Sequence, residues 1–413
     1  MPAKKRIKPF LATHYNLQRF RSLNKLVCPP YDVISRSEQE KFRKKSAYNF
    51  CHILLKKNNT SYPKLGKTFR QWFNEAVLME EKEPAFYITL QEFSLYSKKF
   101  KRRGFIGLLN LEGKKVVFPH EKTHKKPKKD RFEVIKQVRA NLSPVFIIYP
   151  KKNTEPLSAI IKKLEKTRPF LKIRDPEGIR YKIWKLADRK QIERLSGYFQ
   201  KVPLLIADGH HRFEVASRFF RSNKVKASVF RDLNYILAYF SPQDENLLVL
   251  PTHRVFRKRL DLKMFLDKLK PYFFIEKHKS FAGLEDYLVK RKLFSFGFFQ
   301  DNNIFSLSLK DKAFLDRIYA RDGVYKKLDA FLLHEWIFKK VLRLNIEEKD
   351  LLYAKSVKQA AKLSRIYKGC SFFTRPARIG DVMSLAFKGL RLPQKTTYFY
   401  PKFLSGPILR KLY

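Results

Sequence analysis

From Ala207 to Phe213 the chain reads Ala-Asp-Gly-His-His-Arg-Phe, and here its residue types come closest to a chemistry. A short buried strand is expected to end at Ala207, Gly209 permits a tight turn, and helical periodicity starts at Phe213. The first N–H groups of such a helix lack acceptors within it and carry the positive end of its dipole, which suits the junction to phosphate. His210, His211 and Arg212 add donors for phosphate oxygens, Arg212 with two parallel N–H groups. Asp208 is the candidate to hold a Mg²⁺ that bridges phosphates or to orient a hydroxyl, and His210 and His211 are candidates for a catalytic part. The competing reading is an N-capping aspartate followed by two solvent-facing histidines.

A second constellation is Pro119-His120-Glu121-Lys122-Thr123-His124, followed by Lys128-Lys129-Asp130-Arg131. Its letters spell H-E-x-x-H, which in zinc proteases places both histidines on one face of a long helix. Here Pro119 and Pro127 bracket the letters and lysines fill the gap, so a buried amphipathic helix is not expected and a divalent metal is disfavoured. A loop fits better, with Glu121 as base or metal ligand, Thr123 and His120 as polar contacts, and Arg131 as a cation for phosphate. The bland alternative is a solvated basic loop.

A third lies between prolines near the C-terminus, where Lys395-Thr396-Thr397 sets a cation beside two hydroxyls as a candidate nucleotide contact. It lacks the glycines of a Walker A loop, and Tyr398-Phe399-Tyr400 also reads as a plain edge strand. Pro251-Thr252-His253-Arg254 is a weaker polar cluster with a structural role.

These residues need elements to hold them. Pro29-Pro30-Tyr31-Asp32-Val33-Ile34 is a rigid loop, and Asp32 or Ser35 is expected to cap a helix over 37–44. Apolar spacing predicts helices over 64–79, 132–142, 192–199, 213–220, 262–269, 328–339, 357–366 and 379–387. Runs rich in aromatic and β-branched residues predict strands over 85–95, 104–111, 144–149, 203–207, 235–240, 247–250, 273–275, 294–299 and 304–309. The alternation makes this an α/β (α+β) protein, mixed sheets with flanking helices. Length suggests three lobes, 1–150, 151–250 and 251–413.

Of 413 residues, 44% are hydrophobic and 38 are Phe, enough for a sizeable core, which excludes a disordered basic chain. No run is apolar for long enough to span a membrane and no secretory signal is read, so a cytoplasmic location and reduced thiols are expected. The 89 Lys and Arg against 38 Asp and Glu give a net charge of +51, which draws polyanions, nucleic acid among them. Clusters such as Lys98–Arg103 and Arg254–Arg259 are spread along the whole chain, which also fits a generally basic composition.

Taken in order, Lys8-Pro9-Phe10, the Pro29–Ile34 loop, Pro119-His120-Glu121-x-Thr123, Asp130-Arg131, Ser143–Phe146, Asp208–Arg212, Pro251–Arg254 and Lys395–Lys402 resemble the domain-of-unknown-function 1015 family from end to end. More distantly, the Asp-Gly-His-His-Arg box is similar to that of the ParB/sulfiredoxin-like superfamily, which includes CTP-hydrolysing partition proteins, sulfiredoxin and free-serine kinases. This resemblance implies a nucleotide-binding core with phosphates on Gly209–Arg212, ATP or ADP (or CTP) with Mg²⁺ as cofactors, and Glu121 as base on a substrate hydroxyl. The function expected is a nucleotide-dependent phosphotransferase on a small hydroxylated metabolite, free L-serine first. The rivals are a nucleotide-gated DNA-binding protein and a phosphatase acting on phosphoserine.

Overall fold

The computed structural model describes residues 5–413 apart from 59, 96, 113–115, 122–124, 153–154, 224–228, 291–293, 312, 315–327, 345–349 and 394. The chain divides into two compact units. Met1–Pro119, Thr123–Leu247 and Pro401–Tyr413 make the first; His120–Lys122 and Leu248–Tyr400 make the second.

In chain order the first unit contributes β1 (Ile7–Lys8), β2 (Thr13–Tyr15), β3 (Leu78–Glu80), β4 (Phe86–Leu95), β5 (Lys98–Asn110) and β6 (Val117–Pro119). After these come β7 (Ala140–Asn141), β8 (Val145–Pro150), β9 (Leu171–Arg174), β10 (Arg180–Leu186), β11 (Leu204–Asp208) and β12 (Tyr235–Gln243). Its nine-stranded sheet runs β6-β11-β8-β12-β5-β4-β10-β9, with β1 added on β5. Pairing is parallel for β6–β11 and β8–β12 and antiparallel elsewhere, so the sheet is mixed. The middle strands are buried on both faces, which is why β8 reads Val-Phe-Ile-Ile-Tyr without alternation. At the outer end β9 alternates buried Leu171 and Ile173 with exposed Lys172 and Arg174, as a sheet with one wet face must.

The unit's helices are α1 (Arg36–Lys45), α2 (Cys51–Leu54), α3 (Tyr62–Asn74), α4 (Lys125–Val138), α5 (Leu157–Leu164), α6 (Arg189–Tyr198) and α7 (His210–Ser222), with α7 packed on β8 and α4 on α7. Ser35 rather than Asp32 caps α1, in a reciprocal capping box with Glu38. The expected break near residue 150 falls inside the sheet, because β8 is hydrogen-bonded to β11 and β12; a lobe boundary cannot cut a continuous ladder.

The second unit holds β13 (Leu248–Leu250), β14 (His253–Phe256), β15 (Phe273–His278), β16 (Ser295–Gln300), β17 (Asn303–Leu309), β18 (Leu351–Ala354), β19 (Cys370–Phe373) and β20 (Tyr398–Tyr400). Six form an antiparallel sheet, β15-β17-β16-β19-β14-β18, and β13 pairs with β20. Helices α8 (Leu262–Leu269) and α9 (Phe281–Lys290), a π-helical turn run Leu332–Val341, and helices Val357–Ile366 and Ile379–Phe387 complete it. Its core is dense in phenylalanine, with Phe265, Phe296, Phe298 and Phe372 packed together. Finally, β21 (Arg410–Lys411) returns to pair with β7 in the first unit. The fold is mixed α/β, as its alternating sequence pattern requires. Among the described residues no helix is long and apolar enough to cross a membrane.

Candidate functional site

The Asp208–Arg212 box lies where β11 passes into α7. Pairing of β11 with β8 slips between Ile206 and Asp208, a bulge that re-aims the last side chain of the strand. Gly209, the N-cap of α7, has φ +88, a left-handed conformation that strains any L-residue with a side chain. A Cβ there would also stand 3.0 Å from the Arg212 guanidinium. Glycine therefore lets Arg212 fold back over the turn. Its Nη2 donates to Asp208 Oδ2 at 2.6 Å, and Nη1 donates to the Pro144 carbonyl. The third nitrogen, Nε, is buried with no hydrogen-bond partner.

Asp208 Oδ1 accepts a hydrogen bond from Lys402 Nζ at 2.7 Å, and the same ammonium donates to Asp32. One lysine thus joins the end of β11 to the Pro29–Ile34 loop. Burial alone would depress the Lys402 ammonium, but the two carboxylates outweigh it and raise it above the ordinary lysine range. Beside this cluster, Arg131 stacks its guanidinium 4.2 Å from the Tyr31 ring centre and pairs with Asp130, whose other oxygen accepts from the Tyr62 hydroxyl at 2.8 Å. Burial, then the Asp32 charge, push the Tyr31 hydroxyl up to about 12. Tyr31, Leu54, Arg131, Ser143 and Arg212 help to line a cavity of about 50 Å³. His210 is buried and His211 half-buried in the first turn of α7.

These donors do not fit the Mg²⁺ expected at Asp208. Each of its oxygens is already bound to a cation, so a divalent ion would have to displace Lys402 or Arg212 against their repulsion. Among the described residues no group of three or more His, Cys, Asp or Glu is arranged to hold a metal. Lys402 and Arg212 converge at the open end of the α7 dipole, and the carboxylates of Asp208 and Asp32 fix the two cations in place.

Of the remaining expected residues, Glu121, Lys395, Thr396 and Thr397 belong to the second unit. Segment 120–121 is tied to segment 392–397 by Leu392 N–H donating to the His120 carbonyl at 2.7 Å. Glu121 Oε1 accepts from the Thr397 hydroxyl at 3.1 Å and from its backbone N–H at 3.3 Å, while His120 Nε2 lies 2.7 Å from the same hydroxyl. Glu121 Oε1 thus accepts two hydrogen bonds from Thr397, with the buried His120 imidazole beside it. His120 and Glu121 lie outside any helix, so the H-E-x-x-H letters open no helical face. Thr396 donates to the Pro393 carbonyl at 2.6 Å, and the exposed Lys395 contributes its carbonyl to Arg254. Thr123 lies outside the described residues.

Arg254, in the polar cluster expected to be structural, is fully buried and braces this region. Its Nε donates to His334 Nε2 at 3.1 Å, and its other nitrogens reach Thr252, Thr374 and Lys395. Desolvation, then the Arg254 charge, hold His334 down at about 3 and His253 at about 4. Sequence reasoning missed Lys402, Asp32 and Tyr31 as site residues. The only signal was their place inside proline-bracketed polar motifs.

A model of the family described as a protein of unknown function, DUF1015, matches residues 7–331. No curated protein matches. Among solved structures, a free serine kinase in complex with AMP shares 15% identity at a TM-score of 0.36, covering 74% of this chain and 90% of its own. A conserved hypothetical protein from Pyrococcus furiosus shares 15% at a TM-score of 0.33, covering 72% and 91%. SbnI with a C-terminal truncation, from Staphylococcus aureus, shares 9% at 0.34, covering 73% and 87%.

Proposed function

The chain belongs to the DUF1015 family, and for it we propose a nucleotide-dependent phosphotransferase acting on a small hydroxylated substrate, with free L-serine as the first candidate. The observation that carries this reading is the pairing of Lys402 and Arg212 on the two oxygens of Asp208, directly at the N-terminal turn of α7. Terminal phosphates of ATP or ADP are placed on that turn, with Lys402 and Arg212 neutralising the charge that develops on the transferred group. Arg212 Nε, buried without a partner, is one further donor for a phosphate oxygen. The substrate hydroxyl oxygen attacks the terminal phosphorus, the bond from that phosphorus to the leaving nucleotide oxygen breaks, and the hydroxyl proton passes to a base, for which Glu121 is the candidate by residue type. The Thr397 hydroxyl on Glu121 marks the geometry a substrate hydroxyl would take.

The test is mass-spectrometric detection of a phosphorylated product from ATP, ADP or CTP with a pool of hydroxylated metabolites that includes L-serine. Product formation lost in Arg212→Met supports the reading. Turnover of phosphoserine with no nucleotide added would replace it with the phosphatase reading.

A further inference from the structure

The outer end of the first unit's sheet carries a feature that phosphotransfer does not use. On β9 and β10 the register sets Arg174 opposite Arg180 and Lys172 opposite Lys182. Like charges directly opposite on one face of an antiparallel pair are destabilising. The rows continue across β4 and β5, where Glu92 faces both Arg180 and Lys101, and Lys99 faces Ser94. Lys172, Arg174, Arg180, Lys99 and Lys101 are exposed, and Lys182 and Arg103 are partly so. Among the described residues, these seven cations are opposed by three carboxylates: Glu92, 3.3 Å from Lys182 and 3.8 Å from Arg180; Glu165, 3.2 Å from Arg103; and Asp244, whose charge acts on Arg103.

We propose that this exposed face of β9, β10, β4 and β5 is a docking surface for the phosphate backbone of duplex nucleic acid. A regular grid of cations with too few acids is compensated by a regular array of anions, and releasing counterions from that array drives the association. The occupant is a duplex rather than a single strand, because single-strand sites add aromatic platforms for bases. Among the described residues, none of the exposed large hydrophobics lies on these four strands; the aromatic pair Phe93–Phe100 belongs to the other face. Contacts here are to phosphates alone, so binding is indifferent to base sequence.

The experiment is fluorescence anisotropy of a labelled 20-base-pair duplex with the full-length chain over a salt series. Three variants are compared with the parent. One carries Lys101→Gln, Lys172→Gln, Arg174→Gln and Arg180→Gln. A second exchanges Lys and Arg at the same four positions, and a third carries Arg36→Gln, Lys41→Gln, Lys44→Gln and Lys45→Gln on α1. The first should flatten the slope of log K against log salt by about 3–4 and weaken binding at least about tenfold, whereas the charge-preserving exchange keeps both. An equal loss in the α1 variant, or no loss in the first, overturns the proposal in favour of diffuse attraction. Tighter binding of a single strand of equal length, or face-dependent binding only to vesicles of anionic lipid, overturns it as well.

Discussion

Replacing Lys402 by Met keeps the aliphatic stem and removes the ammonium that joins Asp208 to Asp32. At 2.7 Å and an effective dielectric of about 20, its attraction to Asp208 alone is about 6 kcal/mol, much of it cancelled by the cost of desolvating the lysine. Lys402 is 10% exposed and the carboxylates 19% and 22%, so solvent screens little of what remains. Breaking one partner out of a buried pair costs about 3–5 kcal/mol, and because Arg212 still holds Asp208 the lower end applies, about 3 kcal/mol. For a body of this size that lowers Tm by about 6–12 °C. The penalty resides in the stranded Asp32 carboxylate, so Lys402→Met with Asp32→Asn should recover at least half of it. Nucleotide affinity should stay low in both, because the phosphate partner is gone from each. The assays are urea unfolding and nucleotide titration calorimetry on the four corners of the cycle. A loss below about 1 kcal/mol, or no recovery in the double variant, would refute the idea that Lys402 is a buried, doubly paired cation.

Gly209→Ala forces a left-handed alanine and a Cβ 3.0 Å from Arg212; a loss of about 1–2 kcal/mol in urea unfolding is expected, with weaker nucleotide binding, and a neutral effect would show that the turn relaxes freely. Glu121→Gln keeps an acceptor for the Thr397 N–H but removes the base, so phosphoryl transfer should fall about 10²–10⁴-fold while Tm moves little; an unchanged rate would remove Glu121 from the chemistry. His253 and His334, held neutral down to about 4 and 3, do not take up protons that the unfolded chain binds near pH 6.5. Their stabilisation is therefore complete above pH 6.5 and lost as pH falls towards 4, about 3 kcal/mol each. Unfolding free energies from pH 7 to 4 should fall less steeply in His334→Gln, and a parallel curve would contradict the assignment.

Elements with strong periodicity were legible from residues alone: the helices 262–269, 357–366 and 379–387 coincide with their apolar spacing, and the core strand around Val145–Tyr149 with its unbroken apolar run. Strands β9 and β10 were missed although Leu171, Ile173, Tyr181 and Ile183 alternate inward, because lysines and arginines between them disguised the period. The same disguise hid Arg102, which a two-residue alternation points inward to Gln91 at 2.8 Å from within a run read as surface charge. At the site, the box at 207–213 announced itself through local spacing, and the Glu121–Thr397 contact brought together residues chosen for their types. Lys402 did not, since its partner Asp208 lies 194 positions away and nothing local in either segment encodes an ion pair that only the folded sheet assembles. That pairing also explains why Asp208, read by residue type as a metal ligand, is the anchor of two cations.

The most direct measurement of the central claim is calorimetric titration of ATP, ADP and CTP into the parent protein and Arg212→Met. Saturable binding of an adenine nucleotide by the parent, weakened at least about tenfold in Arg212→Met with its fold intact, is the expected result. Absence of binding by every nucleotide, or binding that ignores Arg212, would contradict a phosphate site at the start of α7.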